Sequence, residues 1–316
     1  VLGCARPQAL PGEDLPEASA EACVRWLPPR QTGTLQVDKL TEVSGMAASR
    51  RLPGVLWMHN DSGHKPLLWA IDDRGQAIAS FRLKHQPHRD WEDLAIGPCT
   101  SRRLPDRRSC LYVADTGDNT RSRVMAAILR WPEPETLGAP AQVAGSPHAL
   151  RTRVDEEDVE VFGFRYPLGA EDVEALAVLP DTRVVLVAKQ TDGRPEVYRV
   201  TLQAGVPSTA EALGQLDVRQ PDARTGHAVE VTAADLTSDG RWLLVRTYAR
   251  TVVFDLHDAL AATPEQAAVA LANARGVVLQ SAGEGATEAV AWDPAGGYWQ
   301  IAEGFGANLW RVACAR

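Results

Sequence analysis

Long apolar runs are missing from this sequence. No stretch reaches the 18 or more uncharged apolar residues from which a membrane-spanning helix is read, so a hydrophobic content of 45% is distributed over short segments. Lysine is scarce, confined to Lys39, Lys65, Lys84 and Lys189, and the net charge of −8 excludes the basic stripe on which nucleic-acid backbones are held. Also missing are a G-x-S-x-G elbow, an H-E-x-x-H helix, a phosphate-binding loop and a dinucleotide fingerprint, which removes the commonest hydrolase, metalloprotease and nucleotide-binding readings. Paired C-x-x-C spacing of the metal-binding kind is absent as well.

Five cysteines are present: Cys4, Cys23, Cys99, Cys110 and Cys314. Cys99 and Cys110 bracket the turn-rich insert PCTSRRLPDRRSC, where a bridge would clamp a hairpin. Cys23 and Cys314 stand near the two ends of the remaining chain, where a bridge would fasten the termini together. Two bridges imply an oxidising compartment. The odd cysteine, Cys4, follows Val1-Leu2-Gly3, and that tetrapeptide resembles a bacterial lipobox, so lipidation of Cys4 is expected. Residues 1–22 have the Pro, Ala and acid-rich composition of a tether, and 23–316 are expected to form one folded domain. The expected setting is exported, periplasmic or cell-surface, with membrane attachment through Cys4 alone and a monomeric domain.

A short apolar segment with a polar residue at its head recurs five times. The heads are SGMA at Ser44, EDLA at Glu92, EALA at Glu174, TAAD at Thr232 and EAVA at Glu288, followed by LWMHND, LYVADTGDN, VLVAKQ, LLVRTY and WQIAEG. Alternating apolar segments separated by turn dipeptides are strands, and self-similarity at roughly 50 residues is the mark of a radial array of four-stranded units, none of which buries its faces alone. The fold class is therefore all-β, a single β-propeller of five blades. The long interval between Glu92 and Glu174 leaves six blades as the alternative; in the five-bladed reading it is filled by the cysteine-bracketed insert, VMAAILRW and an outer strand RTRVDEEDVEVFGFRYP. The last unit supplies only three strands, AVAWD, YWQIA and NLWRVA, so the segment near Leu27 to Val37 is expected to complete it and close the ring. An Ala-rich stretch from Leu256 to Ala274 reads as a short helix in an outer loop.

Innermost propeller strands run along a central channel, so equivalent repeat positions share a circle about the axis. Ser44, Glu92, Glu174, Thr232 and Glu288 form one such circle, and Asn60, Asp61, Asp115, Lys189, Thr247 beside Arg246, and Glu303 form a second, extended by Asp118 and Asn119. Three glutamates on one axis repel one another and need positive charge. A hard divalent cation such as Ca2+ meets that need, because Glu, Asp and Asn supply the oxygen ligands it prefers. Lys189 and Arg246 meet it equally well as an ion network without a ligand.

The segments SGMA, DWEDLA, LYVADTGDN, DVEALAV, TEAVAWD and AEG resemble a largely uncharacterised family of bacterial exported propeller proteins over nearly all of 40–314. At the repeated heads alone the chain is also distantly similar to calcium-dependent lactonase and esterase-like phytase propellers. That second resemblance implies an axial calcium held by Glu92 or Glu174 with Asn60, Asp115 and Asn119, although this chain does not match the full ligand set of those enzymes.

Weaker signals read as structure. His85-Gln-Pro-His88 is interrupted by Pro87 and suits a rim loop; His227 and Glu230, just before the fourth head, permit a dyad, but a hydrogen-bonded histidine at the start of a strand is the expected reading. The tryptophans fall mostly within strands, where packing between blades accounts for them, and Trp91 at a head is placed to reach the channel mouth. The acidic run 155–158 suits a solvated strand edge. The functional expectation is an extracytoplasmic binding module whose acidic axial pocket holds a divalent cation together with a small molecule or protein partner. The alternative is a calcium-dependent hydrolase of esters, lactones or phosphate esters.

Overall fold

A computed structural model describes residues 23, 25–83, 85–99, 109–137, 150–154, 158–219, 226–256, 258–282 and 287–315. The expected leader 1–22 and Cys4 lie outside these residues. Five sheets, one per repeat and each built on four antiparallel strands, make a five-bladed propeller. From the axis outward, blade one consists of Val43–Ala48, Val55–Asn60, Leu67–Asp72 and Ala77–Leu83. Blade two consists of Trp91–Pro98, Ser109–Asp115, Ala126–Pro132 and Glu160–Arg165. Blade three consists of Val173–Val178, Val184–Ala188, Glu196–Val200 and Glu211–Gln215, and blade four of Val231–Leu236, Trp242–Thr247, Thr251–Asp255 and Val277–Leu279. Blade five takes Thr287–Trp292, Gly297–Ala302 and Asn308–Ala315, and its fourth strand is Arg30–Thr34 from the other end of the chain.

Each inner strand touches those of both neighbouring blades, blade five meeting blade one, so the circle is closed. All five are buried along their length except for Pro98 at the end of the blade-two strand, which is why they are written in small and apolar residues on both faces rather than in strict alternation. The core is divided into five apolar wedges, each filled by two successive blades. Trp57, Trp91 and Trp131 pack together in the wedge between blades one and two, so Trp91 is fully buried there and does not reach the channel mouth.

Closure follows the expected scheme. Arg30–Thr34 pairs with Asn308–Ala315, Trp26 lies opposite Cys314, and Cys23 bonds Cys314 with α-carbons 5.3 Å apart. Cys99 bonds Cys110 across the hairpin of blade two, at 5.5 Å. Two bridges are the usage of a protein that folds outside the reducing cytosol.

The segment RTRVDEEDVEVFGFRYP is not one strand. Leu150–Val154 crosses to blade one and lies parallel to Ala77–Leu83 as a fifth strand, whereas Glu160–Arg165 is the outer strand of blade two. In the sequence the acidic run lies between these two strands, and its residues 155–157 lie outside the described ones. That division and the cysteine-clamped insert occupy the long interval, so there is no sixth sheet among the described residues.

The expected helix is Pro264–Asn273, begun by a capping box in which Thr263 and Gln266 exchange hydrogen bonds. It rests on the outer strand of blade three. Gly214 permits the contact, because a Cβ there would stand 3.1 Å from Ala268 on a backbone with φ +107°.

Candidate functional site

Every inner strand carries a register irregularity at its head: between Val43 and Gly45, Trp91 and Leu94, Val173 and Ala175, Val231 and Ala233, and Thr287 and Ala289. Each head residue is thus the extra residue of a bulge, and bulges re-aim side chains. Ser44, Glu92, Glu174, Thr232 and Glu288 are all buried around the axis. The two hydroxyl heads are clasps between blades: Ser44 Oγ donates to the Glu92 carbonyl at 2.5 Å, and Thr232 Oγ1 to that of Thr287 at 3.0 Å. The three glutamates are left for the mouth.

The bulge also corrects the second circle. Asn60, Asp115, Ala188, Thr247 and Ala302 pair with the residue before each head, so the positions that follow them, Asp61, Thr116, Lys189, Tyr248 and Glu303, form the second rank. Asn60 and Asp115 instead fasten loops. Asn60 Oδ1 accepts the Glu42 N–H and its Nδ2 donates to the Lys39 carbonyl; Asp115 Oδ1 accepts the Asp90 N–H at 2.9 Å and pairs with Arg123 at 3.1 Å. Asp118 caps its own turn, accepting from the Arg123 N–H, and its N–H donates to Asp172; Asn119 is exposed. Arg246 stands opposite Ala233, two residues short of the rank, and bonds Thr251 Oγ1 and the Tyr248 carbonyl, each at 3.2 Å. It bridges no glutamate, and burial lowers its pKa to about 10.

A third rank is written in the repeats as well, beyond the two circles that repeat alignment suggests: two residues before the head stand Glu42, Asp90, Asp172 and Glu230 in four of five repeats. Asp90 and Asp172 bring the glutamates company. Oxygens of Asp61, Asp90 and Glu92 lie within 4.8 Å of one another, and so do those of Glu92, Asp172 and Glu174, with Glu92 common to both groups. Gly117, from the TGDN turn, makes room for this, since a Cβ there would come within 1.8 Å of Glu92 Oε1 and 2.6 Å of Asp90 Oδ2.

Lys189 offsets this charge directly. Its Nζ donates to Glu174 Oε1 at 2.9 Å and to the Tyr248 hydroxyl at 3.4 Å. Burial opposes the lysine's charge, but Glu174 and Tyr248 more than offset it and raise its pKa. Burial followed by the charges of Glu174, Asp61 and Asp90 pushes Glu92 well above the carboxylate range. Glu174 is raised by burial to about 7 in spite of Lys189, and Glu288 by burial and Glu303 to about 8. Glu303 and Asp90 shift upward for the same reasons. Such a set holds protons near neutrality or takes a positive ligand. Its donors are all oxygens, the set a hard cation prefers.

Asp93, next to Glu92, occupies a position that is Gly45, Ala175, Ala233 and Ala289 in the other repeats. Wholly buried, its carboxylate accepts the N–H groups of Leu94 and Leu176 at 2.8 Å and of Ala234 at 3.1 Å. One side chain thus ties together the inner strands of three blades. Asp235 repeats the device one level down, accepting from Leu236 and Trp292, each at 2.8 Å. The inner edge of an innermost strand has no neighbouring strand, so its N–H groups need such acceptors.

His88 packs against Trp91 in the rim loop. His227 and Glu230 do form a dyad, at 2.8 Å, but on the 3-10 turn Gly226–Val229 rather than on a strand.

No protein-family model matches the chain, and no curated protein does. Among solved structures, it is similar to a PQQ-bound aldose sugar dehydrogenase from Streptomyces coelicolor, with 12% identity over 90% of this chain and 97% of that one and a TM-score of 0.46. The apo form of a soluble aldose sugar dehydrogenase from Escherichia coli matches at 11% identity over 91% and 99%, with a TM-score of 0.43. A Bacteroides thetaiotaomicron protein of unknown function matches at 10% identity over 91% and 76%, with a TM-score of 0.44.

Proposed function

We propose that the chain is an extracytoplasmic binding module whose acidic mouth holds a divalent cation, calcium by its donor chemistry, and through it a small molecule or protein partner. The observation that carries this reading is the sharing of Glu92 between two groups of three carboxylates. Asp61, Asp90, Glu92, Asp172 and Glu174 would hold the ion, which supplies positive charge to a mouth otherwise offset by Lys189. A lipid on Cys4 would tether the domain at the membrane surface. Among the described residues no helix is long and apolar enough to cross one.

The test is calorimetric titration of calcium into chelator-treated protein, with melting followed in parallel. A ligand bound only by the folded state adds about 2.7 kcal/mol at a hundred times its dissociation constant. Glu92→Gln with Glu174→Gln removes both heat and stabilisation. No heat and no shift in the wild type would end the cation reading.

A second reading, a hydrolase of esters, lactones or phosphate esters, is favoured by the Lys189 ammonium and the Tyr248 hydroxyl at the same mouth. Both are donors of the kind that stabilise a developing oxyanion. The cation would add polarisation of a carbonyl or phosphoryl oxygen.

A further inference from the structure

On the blade-four side of the mouth the head is the neutral Thr232, the second-rank residue is Tyr248, and the third-rank acid, Glu230, belongs to neither carboxylate group. Glu42 of blade one also lies outside both groups and pairs with a histidine, His64, but its side chain is half exposed, whereas that of Glu230 is buried. Glu230 is turned to His227 instead. Its side chain is only 5% exposed whereas the imidazole it holds is 91% exposed. A carboxylate only accepts, so Nδ1 carries the hydrogen and Nε2 keeps its lone pair. The buried acid fixes the tautomer that a proton acceptor requires.

The surroundings give that lone pair something to act on. The Tyr248 backbone N–H donates to the Glu230 carbonyl at 3.2 Å, which ties the dyad to the second rank. The His227 ring lies edge-on to the Tyr248 ring with centroids 6.4 Å apart, and the Tyr248 hydroxyl meets Lys189 Nζ at 3.4 Å. A proton acceptor and an oxyanion-stabilising cation therefore flank one tyrosine at the mouth.

We propose that His227, oriented by Glu230, is the general base for hydrolysis of a small carboxylic ester at this mouth; the inference rests on the hydrolase reading. Nε2 removes a proton from water as the water oxygen bonds to the carbonyl carbon, and the carbonyl π electrons move onto oxygen, beside the Lys189 ammonium. Collapse restores the C=O bond and breaks the bond to the alkoxide, which takes the proton from His227. Acid and alcohol leave, and the imidazole is neutral again. His227 is the catalytic residue and Glu230 a positioning residue.

The experiment uses the disulfide-bonded chain with phenyl acetate as probe, and calcium binding is measured separately by calorimetry. Expected is wild-type turnover that falls about 100-fold or more in kcat in His227→Ala, within the usual contribution of a general base, and recovers with added imidazole, which the exposure of the site admits. Glu230→Gln should lower kcat about tenfold at unchanged KM, the size of effect that follows when a histidine loses the outer partner that orients it. His227→Ala turning over at the wild-type rate overturns the proposal, as does an esterase loss that imidazole does not restore. Wild type inactive on phenyl acetate overturns it too, whereas the calcium isotherm decides the cation reading independently.

Discussion

The Asp93 carboxylate accepts the backbone N–H of Leu176, in the next blade, at 2.8 Å, and with the same oxygen that of Ala234, one blade further on, at 3.1 Å. Burial raises its pKa well above the usual range while these N–H groups pull it down. Asp93→Ala would leave two N–H groups of neighbouring blades without their acceptor, at about 1–3 kcal/mol for each buried group, so urea unfolding should show a loss of about 4 kcal/mol. Asp93→Asn, which keeps one acceptor oxygen, should show a smaller one. A loss under about 1 kcal/mol in the alanine variant would show that water replaces the carboxylate.

Gly117→Ala tests the mouth rather than the frame. The new Cβ competes with Glu92 Oε1 for the same space, so Glu92 must swing out of both carboxylate groups. Calcium affinity should fall at least tenfold, about 1.4 kcal/mol, with little change in the melting temperature of calcium-free protein.

His59 makes an acid-sensitive contribution. It is wholly buried, with Nδ1 2.9 Å from the Asn60 carbonyl, and burial lowers its pKa from 6.5 to about 4. The unfolded chain therefore binds the proton first. The stability this neutral imidazole contributes is complete above pH 6.5 and is lost as pH falls toward 4, by about 3 kcal/mol in all. In His59→Gln the slope of stability against pH in that window should flatten.

Glu288 works in the opposite direction. Burial and Glu303 raise it from 4.5 to about 8, so its protonated form stabilises the fold below pH 4.5 and that contribution disappears as pH rises through 8. Chelator-treated protein should lose stability across this range, and Glu288→Gln should lose less of it. An identical profile in the two proteins would remove Glu288 from the axis.

The bridge between Cys23 and Cys314 closes a loop of nearly the whole chain, and that between Cys99 and Cys110 a short one. Loop-closure entropy grows with loop length, so Cys23→Ser with Cys314→Ser should cost about 4 kcal/mol or more and Cys99→Ser with Cys110→Ser about 3 kcal/mol. Guanidinium unfolding of the two double variants gives the order.

The fold was readable because one pattern, a polar head on a small apolar strand, returned with each blade, and because Cys23 and Cys314 bracket a ring that lacks one strand. The site was readable only in part. Glu92, Glu174 and Glu288 stand out as repeat equivalents, but the bulge at each head consumes one residue and breaks the period of two. Counting along the following strands therefore reaches Asp61, Lys189 and Glu303 but stops short at Asp115, and at Thr247 with Arg246, where Thr116 and Tyr248 stand. Asp90 and Asp172 are signalled in the repeats as an acid two residues before the head. Asp93 is marked by being the one carboxylate in a column of glycine and alanine. The division of RTRVDEEDVEVFGFRYP between two blades has no local signal beyond its acids, because a strand's partner is chosen by the surface it meets.

Through one Asp93 carboxylate, blades two, three and four are made interdependent near the axis. None of the three can shift there without stripping a buried acceptor from the other two, so a displacement at Glu92, the chain neighbour of Asp93, is felt two blades away. The ring is thus mechanically unequal, stiffer across these three blades than a fivefold repeat of one unit would make it.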